Sequence, residues 1–207
     1  MILEAKRVDF SYGNGPKILR DVNLRLESGQ RLGLSADSGY GKTTLCQLLA
    51  GYERPRSGEI FLDGRPLQSW EKENGGYCPV QLLWQHPEQA VDPRRKMRTV
   101  IEEGDGIEPG ILHGLGIRRE WMERYPAELS GGELQRFCIA RALGKRTKFL
   151  LADEMTAMLD LITQSEIWTF LLKEAERRNL GLLVVSHSHR LLERVCDSIV
   201  DLEQING

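Results

Sequence analysis

"GLSADSGYGKTTL", Gly33 to Leu45, almost completes a phosphate-binding loop, with one glycine missing. The pattern G-x-x-x-x-G-K-[ST] holds phosphates on backbone N–H groups. Gly41, Lys42 and Thr43 fill its end, but the opening position carries Ala36. "QRLGLSA" ahead of the loop reads as a strand, and "KTTLCQLLAGY" behind it has helical periodicity. Strand, loop, helix is the setting in which such a match becomes evidence.

In that setting Ala36, Asp37, Ser38, Gly39, Tyr40, Gly41, Lys42, Thr43 and Thr44 are the candidate nucleotide-binding residues. Backbone N–H groups from Ser38 to Thr43, with the helix start behind them, make a concave anion site. Gly39 and Gly41 let the backbone approach the phosphates closely. Lys42 is expected to reach the β- and γ-phosphates, and the Thr43 hydroxyl to ligate Mg²⁺. If residue 36 has to take a positive φ, its alanine carries about 1–2 kcal/mol of strain. Strain of that size weakens affinity roughly tenfold.

Working outward, residues 2–12 and 18–28 alternate apolar and polar as strands do, around the turn "YGNGP". "GEIFLDGRPL" reads as a hairpin turning at Asp63-Gly64. From about Pro87 to Tyr125 charge and glycine dominate, and the segment reads as a mostly helical insertion with loops. Beyond it follow the helix "GGELQRFCIARAL", the apolar strand "KFLLADE", the helix "LITQSEIWTFLLKEAERRN" and the apolar strand "LGLLVVSH". Apolar strands alternating with helices imply a parallel sheet covered on both faces.

The 207 residues are 41% hydrophobic and 28% charged, which suits one globular unit. A formal net charge of -2 gives no field to attract nucleic acid or anionic lipid. The apolar runs are far shorter than a membrane span of about 20 residues. "MILEAKRVDF" places acidic residues where a signal peptide would be apolar. Cys46, Cys78, Cys138 and Cys196 form no C-x-x-C pair and read as reduced thiols of a cytosolic protein.

Asp153 and Glu154 close the apolar strand "FLLADE". A strand buried on both faces has little use for two acids at its end unless a cation meets them there. Asp153 is expected to hold Mg²⁺, and Glu154 to polarise the water that attacks the γ-phosphorus.

"LSGGELQR", Leu129 to Arg136, resembles the signature motif of the ATP-binding-cassette (ABC) ATPases. Two consecutive glycines at a helix start cost helix propensity but open backbone N–H groups to an anion. The resemblance implies that Ser130, Gly131, Gly132 and Glu133 contact ATP held by an opposite subunit, so that two chains pair head to tail. Glu133 stands where glutamine is commoner, and its charge is expected to turn away from the nucleotide. Further motifs follow in the family's order. Tyr12 in "VDFSYG" resembles the aromatic that stacks on adenine. Gln85 in "LLWQHPE" resembles the Q-loop residue that senses Mg²⁺ and the attacking water. His187 in "VVSHSH" resembles the switch histidine, while His189 is expected to face solvent. "EMTAMLD" resembles the D-loop, departing at Met155, Ala157 and Met158 and keeping Asp160. With Lys42, Asp153, Glu154 and His187 all in place, the loop reads as functional despite Ala36.

The resemblance implies an α/β fold: a P-loop NTPase core with a mainly parallel sheet, an N-terminal antiparallel β-subdomain and a short helical insertion. Residues 1–207 form one ABC ATPase domain, with about 1–86 and 141–207 as the core and about 87–140 as the signature-bearing subdomain. "QHPEQAVDPRRKMRTVIEEG" is similar to text after the Q-loop in oligopeptide, dipeptide and nickel importers. That implies an ATP- and Mg²⁺-dependent ATPase, cytoplasmic and peripheral on the inner face of the membrane. Its partners are a second ATPase subunit, a membrane permease docking near Trp84, His86 and "PRRKMR", and a solute-binding protein, with no nucleic acid. Two other readings stay open: a catalytically weak regulatory partner in a heterodimeric ABC ATPase, and a soluble ABC ATPase without a transport role.

Overall fold

The computed structural model describes residues 1–73 and 75–207. The first three strands, β1 (Ile2–Phe10), β2 (Leu19–Glu27) and β3 (Arg31–Ser35), divide between two sheets. β1 and β2 pair with β4 (Ser57–Leu62) and the short β5 (Arg65–Pro66) in an antiparallel sheet of order β2-β1-β4-β5. Asp63 and Gly64 take φ of 49° and 74°, the left-handed pair that a tight hairpin with right-handed twist requires.

β3 belongs to a five-stranded parallel sheet with β6 (Val80–Leu83), β7 (Phe149–Asp153), β8 (Gly181–Val185) and β9 (Ser198–Asp201), in the order β6-β7-β8-β3-β9. Every residue of β7 and β8 is buried, as expected of strands covered on both faces. Their side chains alternate between two cores. Phe149, Leu151, Leu183 and Val185 pack with the antiparallel sheet, while Leu150, Ala152, Leu182 and Val184 pack with the helices of the opposite face.

The helices are α1 (Lys42–Leu49), α2 (Leu67–Glu73), α3 (Met97–Glu102), α4 (Pro109–Gly114), α5 (Gly131–Ala142), α6 (Leu161–Arg178), α7 (His189–Val195) and α8 (Leu202–Ile205). Between residues 87 and 128 the chain makes only short helices and single 3₁₀ turns, joined by loops. Val91, Met97, Val100 and Ile111 from this stretch share one core with α5, α6 and the sheet. On α6, Ile167, Trp168, Leu171, Glu174 and Ala175 form the buried stripe. Arg177 and Arg178 neutralise the buried Glu174, and Arg178 also donates to the Leu143 and Gly144 carbonyls. That pairing ties the end of α6 to the end of α5.

His189 opens α7 with an exposed side chain against Glu193. None of the four cysteines is in a disulfide. Among the described residues no helix is long and apolar enough to cross a membrane.

Candidate functional site

The parallel register brings the reactive residues together. Leu34 pairs with Val185, and Val185 with Asp153, so β3, β7 and β8 end side by side. Open parallel sheets bind ligands at this carboxyl edge. The phosphate loop follows β3 there, Glu154 follows β7, and His187 follows β8.

Gly41 caps α1 with φ of 91°, and a Cβ there would lie 2.7 Å from Ile18 Cγ2. Only glycine fits that position. Ala36 is different. Its φ lies outside the left-handed region, and its methyl packs against the core beneath the antiparallel sheet. The positive φ on which strain at position 36 was conditional is absent, so that strain does not arise. Lys42, almost fully buried, donates from Nζ to the carbonyls of Ala36 at 2.7 Å and Asp37 at 2.8 Å. The ammonium thus lies along the inside of the loop.

His187 Nε2 donates to Glu154 Oε1 at 2.8 Å. Glu154 itself takes φ of 48°, a left-handed conformation costly for a residue with a Cβ, and such strain gathers at functional sites. Its N–H donates to the Val185 carbonyl at 3.1 Å, which anchors the turn. Asp153 is buried, and that burial pushes its carboxyl above the usual range, while a hydrogen bond from Thr43 pulls the other way. A carboxylate and a hydroxyl joined in this way are hard oxygen donors, the pair that suits a magnesium ion shared with phosphate oxygens. Ser38, Gly39, Gly41, Lys42, Thr43, Thr44, Gln85, Glu154 and His187 line one cleft of ≈ 380 Å³. Ile18 forms its remaining wall, a residue that motif spacing did not single out. Tyr12 stands outside this wall, edge-on to Phe10 at 4.9 Å, with its hydroxyl donating to Gln47 Oε1 at 3.0 Å.

Ser130, Gly131, Gly132 and Glu133 lie elsewhere. They line a second cleft of ≈ 750 Å³ with Gln85, Met158 and Asp160. Ser130 caps α5, its Oγ accepting from the Glu133 N–H, and the Glu133 carboxylate accepts from the Ser130 N–H at 2.8 Å. Glu133 is thus turned onto its own helix start, and these bonds hold its carboxyl below the usual range. Asp160 caps α6 by accepting from Ile162 and Thr163 N–H groups, both at 3.0 Å. Thr156 in the same loop accepts from Gln164 and the Trp168 indole. The Ala157 N–H donates to the Glu154 carbonyl at 2.9 Å, a backbone bond independent of the side chain, so the departures at Met155, Ala157 and Met158 leave the loop's anchors intact. Gln135 is buried on the floor of this cleft, its amide without a hydrogen-bonding partner among the described residues.

The profile of the ABC transporter family matches residues 19–157. The nickel import ATP-binding protein NikE of Rhodospirillum rubrum is 33% identical over 205 residues, covering 90% of this chain and 73% of that protein. NikE of Escherichia coli is 31% identical over 200 residues, covering 90% and 75%. A dimeric ATP-binding cassette in a post-hydrolysis state, bound to ADP and Pi, superposes with a TM-score of 0.80 at 24% identity, over 96% of this chain and 93% of that one. The cbiO1 protein of Clostridium perfringens, part of the cbiONQ transporter complex, gives 0.75 at 22% identity, over 96% and 83%. These two structures share the fold.

Proposed function

This chain belongs to the ABC transporter family as an ATP-binding, ATP-hydrolysing subunit, and from that premise we propose that it drives import of nickel or peptides through a separate membrane permease. The observation that carries the catalytic part is the His187–Glu154 contact at the mouth of the phosphate loop. The loop's N–H groups and Lys42 take the phosphates, drawing the ammonium from the Ala36 and Asp37 carbonyls. Glu154 accepts the proton of the attacking water, and His187 fixes the carboxylate's direction. Thr43 and Asp153, with Gln85 beside them, are the residues that would hold Mg²⁺, which would supply positive charge to offset that of the phosphates.

Ser130 to Glu133 serve the nucleotide of a second subunit. The permease docks around Trp84, which stacks edge-on to Tyr52, and along the exposed Arg94 and Arg95. The chain works at the cytoplasmic face of the membrane and takes cargo delivered by a solute-binding protein. Nickel as cargo rests on the NikE relatives.

The test pairs the unsubstituted chain with Glu154→Gln. Removing the base lowers ATP turnover by about 10²–10⁴-fold and leaves affinity for a nonhydrolysable analogue within about twofold. Equal, negligible turnover in both would favour a regulatory subunit. Nickel and dipeptide uptake into vesicles carrying the reconstituted complex then identifies the cargo.

A further inference from the structure

We propose that Glu203 and Asn206 are positioning residues of the nucleotide cleft, bracing its phosphate loop and its opposite wall from one short segment. The proposal rests on the reading that ATP occupies the cleft of Lys42. The Asp37 N–H donates to Glu203 Oε1 at 3.0 Å. The other end of that same peptide group, the Ala36 carbonyl, accepts from Lys42 Nζ at 2.7 Å. One peptide is therefore held from both sides, immediately ahead of the run of N–H groups that takes phosphate. When Lys42 turns to the phosphates it releases the carbonyl, and Glu203 alone keeps the peptide's direction.

The brace is itself fixed. The Glu203 N–H donates to Asp201 Oδ1 at 2.9 Å, and Leu202 beside it is fully buried. Three residues on, Asn206 Oδ1 accepts from the Arg20 N–H at 2.7 Å, and Nδ2 donates to the Ile18 carbonyl at 3.0 Å. Gly207 N–H adds a bond to the Arg20 carbonyl at 2.9 Å. Ile18 is the cleft wall against which Gly41 closes. Asp201 to Gly207 thus set the separation of loop and wall.

A carboxylate so near a phosphate site opposes the anion through its charge and helps it only through the bond to the loop. The two effects part on substitution. Full-length chains carrying Glu203→Ala, Glu203→Gln and Asn206→Ala are titrated calorimetrically with AMP-PNP and Mg²⁺, and their ATPase kinetics recorded. Losing one net hydrogen bond weakens binding about three- to tenfold in Glu203→Ala, and losing the two that Asn206 makes weakens it at least as much in Asn206→Ala. KM rises in step, with kcat at saturation within about twofold. Glu203→Gln keeps an acceptor oxygen without the charge and binds at least as tightly as the unsubstituted chain. Glu203→Ala binding within about 1.5-fold of the unsubstituted chain overturns the proposal, as does Glu203→Gln as weak as Glu203→Ala. Glu203 is exposed, so thermal midpoints without nucleotide stay together, and a Glu203→Gln that rescues binding excludes a general loss of folding. If the unsubstituted chain fails to bind AMP-PNP, the nucleotide reading falls and takes this one with it. Binding that is indifferent to residue 203 removes this proposal alone.

Discussion

The methyl group of Ala36 packs against the core under the antiparallel sheet, and the residue's φ is one any amino acid adopts. Restoring the pattern's glycine therefore gains the loop no conformational freedom it uses. Ala36→Gly leaves AMP-PNP affinity within about twofold and, by freeing the unfolded chain, lowers stability by about 0.5–1 kcal/mol. A drop in thermal midpoint of about 1–3 °C reads that out. Tighter binding by the glycine variant would show that residue 36 is strained after all. Gln135 presents the opposite case. Its amide is buried with neither donor nor acceptor met among the described residues, a costly state for a polar group. Methionine matches its length and suits a helix, so Gln135→Met raises stability by about 1 kcal/mol, or about 2–4 °C in thermal midpoint. A fall in midpoint would mean that the amide is satisfied in solution. Lys42, Glu154 and His187 were legible because their chemistry sits in fixed spacings. Ile18 was not, since only the folded chain sets it against Gly41 as the cleft wall, nor were Glu203 and Asn206, whose contacts with Asp37 and Ile18 span 166 and 188 residues.

The elements show the same division. β7 and β8 announced themselves through the apolar runs "FLLA" and "GLLVV", because a strand covered on both faces has no polar side to hide. β6 and β9 are four-residue strands at the sheet's two edges, made by pairing with β7 and β3 rather than by their own pattern. α2 and α8, at seven and four residues, are too short to show a helical period. The β1–β2 connection carries an electrostatic clasp as well. Asp9 accepts from Lys17, from the Asp21 N–H and from Ser57, and the Lys17 bond chiefly lowers its carboxyl from 3.8 to about 2. The folded chain therefore binds fewer protons than the unfolded one between about pH 4 and pH 2, and stability falls as pH drops through that window. Urea midpoints of the unsubstituted chain and Asp9→Asn differ at pH 6, and the gap closes as pH falls from about 4 to 2. A gap that persists at pH 2 would separate the clasp from the charge of Asp9.

At the scale of the whole molecule, two clefts divide work that one reaction needs done in one place. Lys42, Glu154 and His187 share the ≈ 380 Å³ cleft, whereas the open start of α5 faces the ≈ 750 Å³ cleft, and of the residues singled out above only Gln85 touches both. A single chain thus leaves the γ-phosphate of its own nucleotide without the second set of N–H groups. The proposed head-to-tail pairing would supply it, and the exposed Met158, Leu161 and Ile162 beside Asp160 offer apolar surface for that pairing. On that proposal two chains close over two nucleotides, and slowed hydrolysis keeps them closed. Glu154→Gln with ATP and Mg²⁺ accordingly runs as a dimer in light scattering and as a monomer without nucleotide. Adding Ser130→Arg places a bulky cation where the partner's phosphate meets the helix start and removes the Ser130 cap bond to Glu133. The dimer is lost, while each monomer keeps its AMP-PNP affinity within about twofold, because Ser130 lies outside the cleft of Lys42. A double variant that still dimerises with ATP would place the second phosphate face somewhere other than residues 130–133.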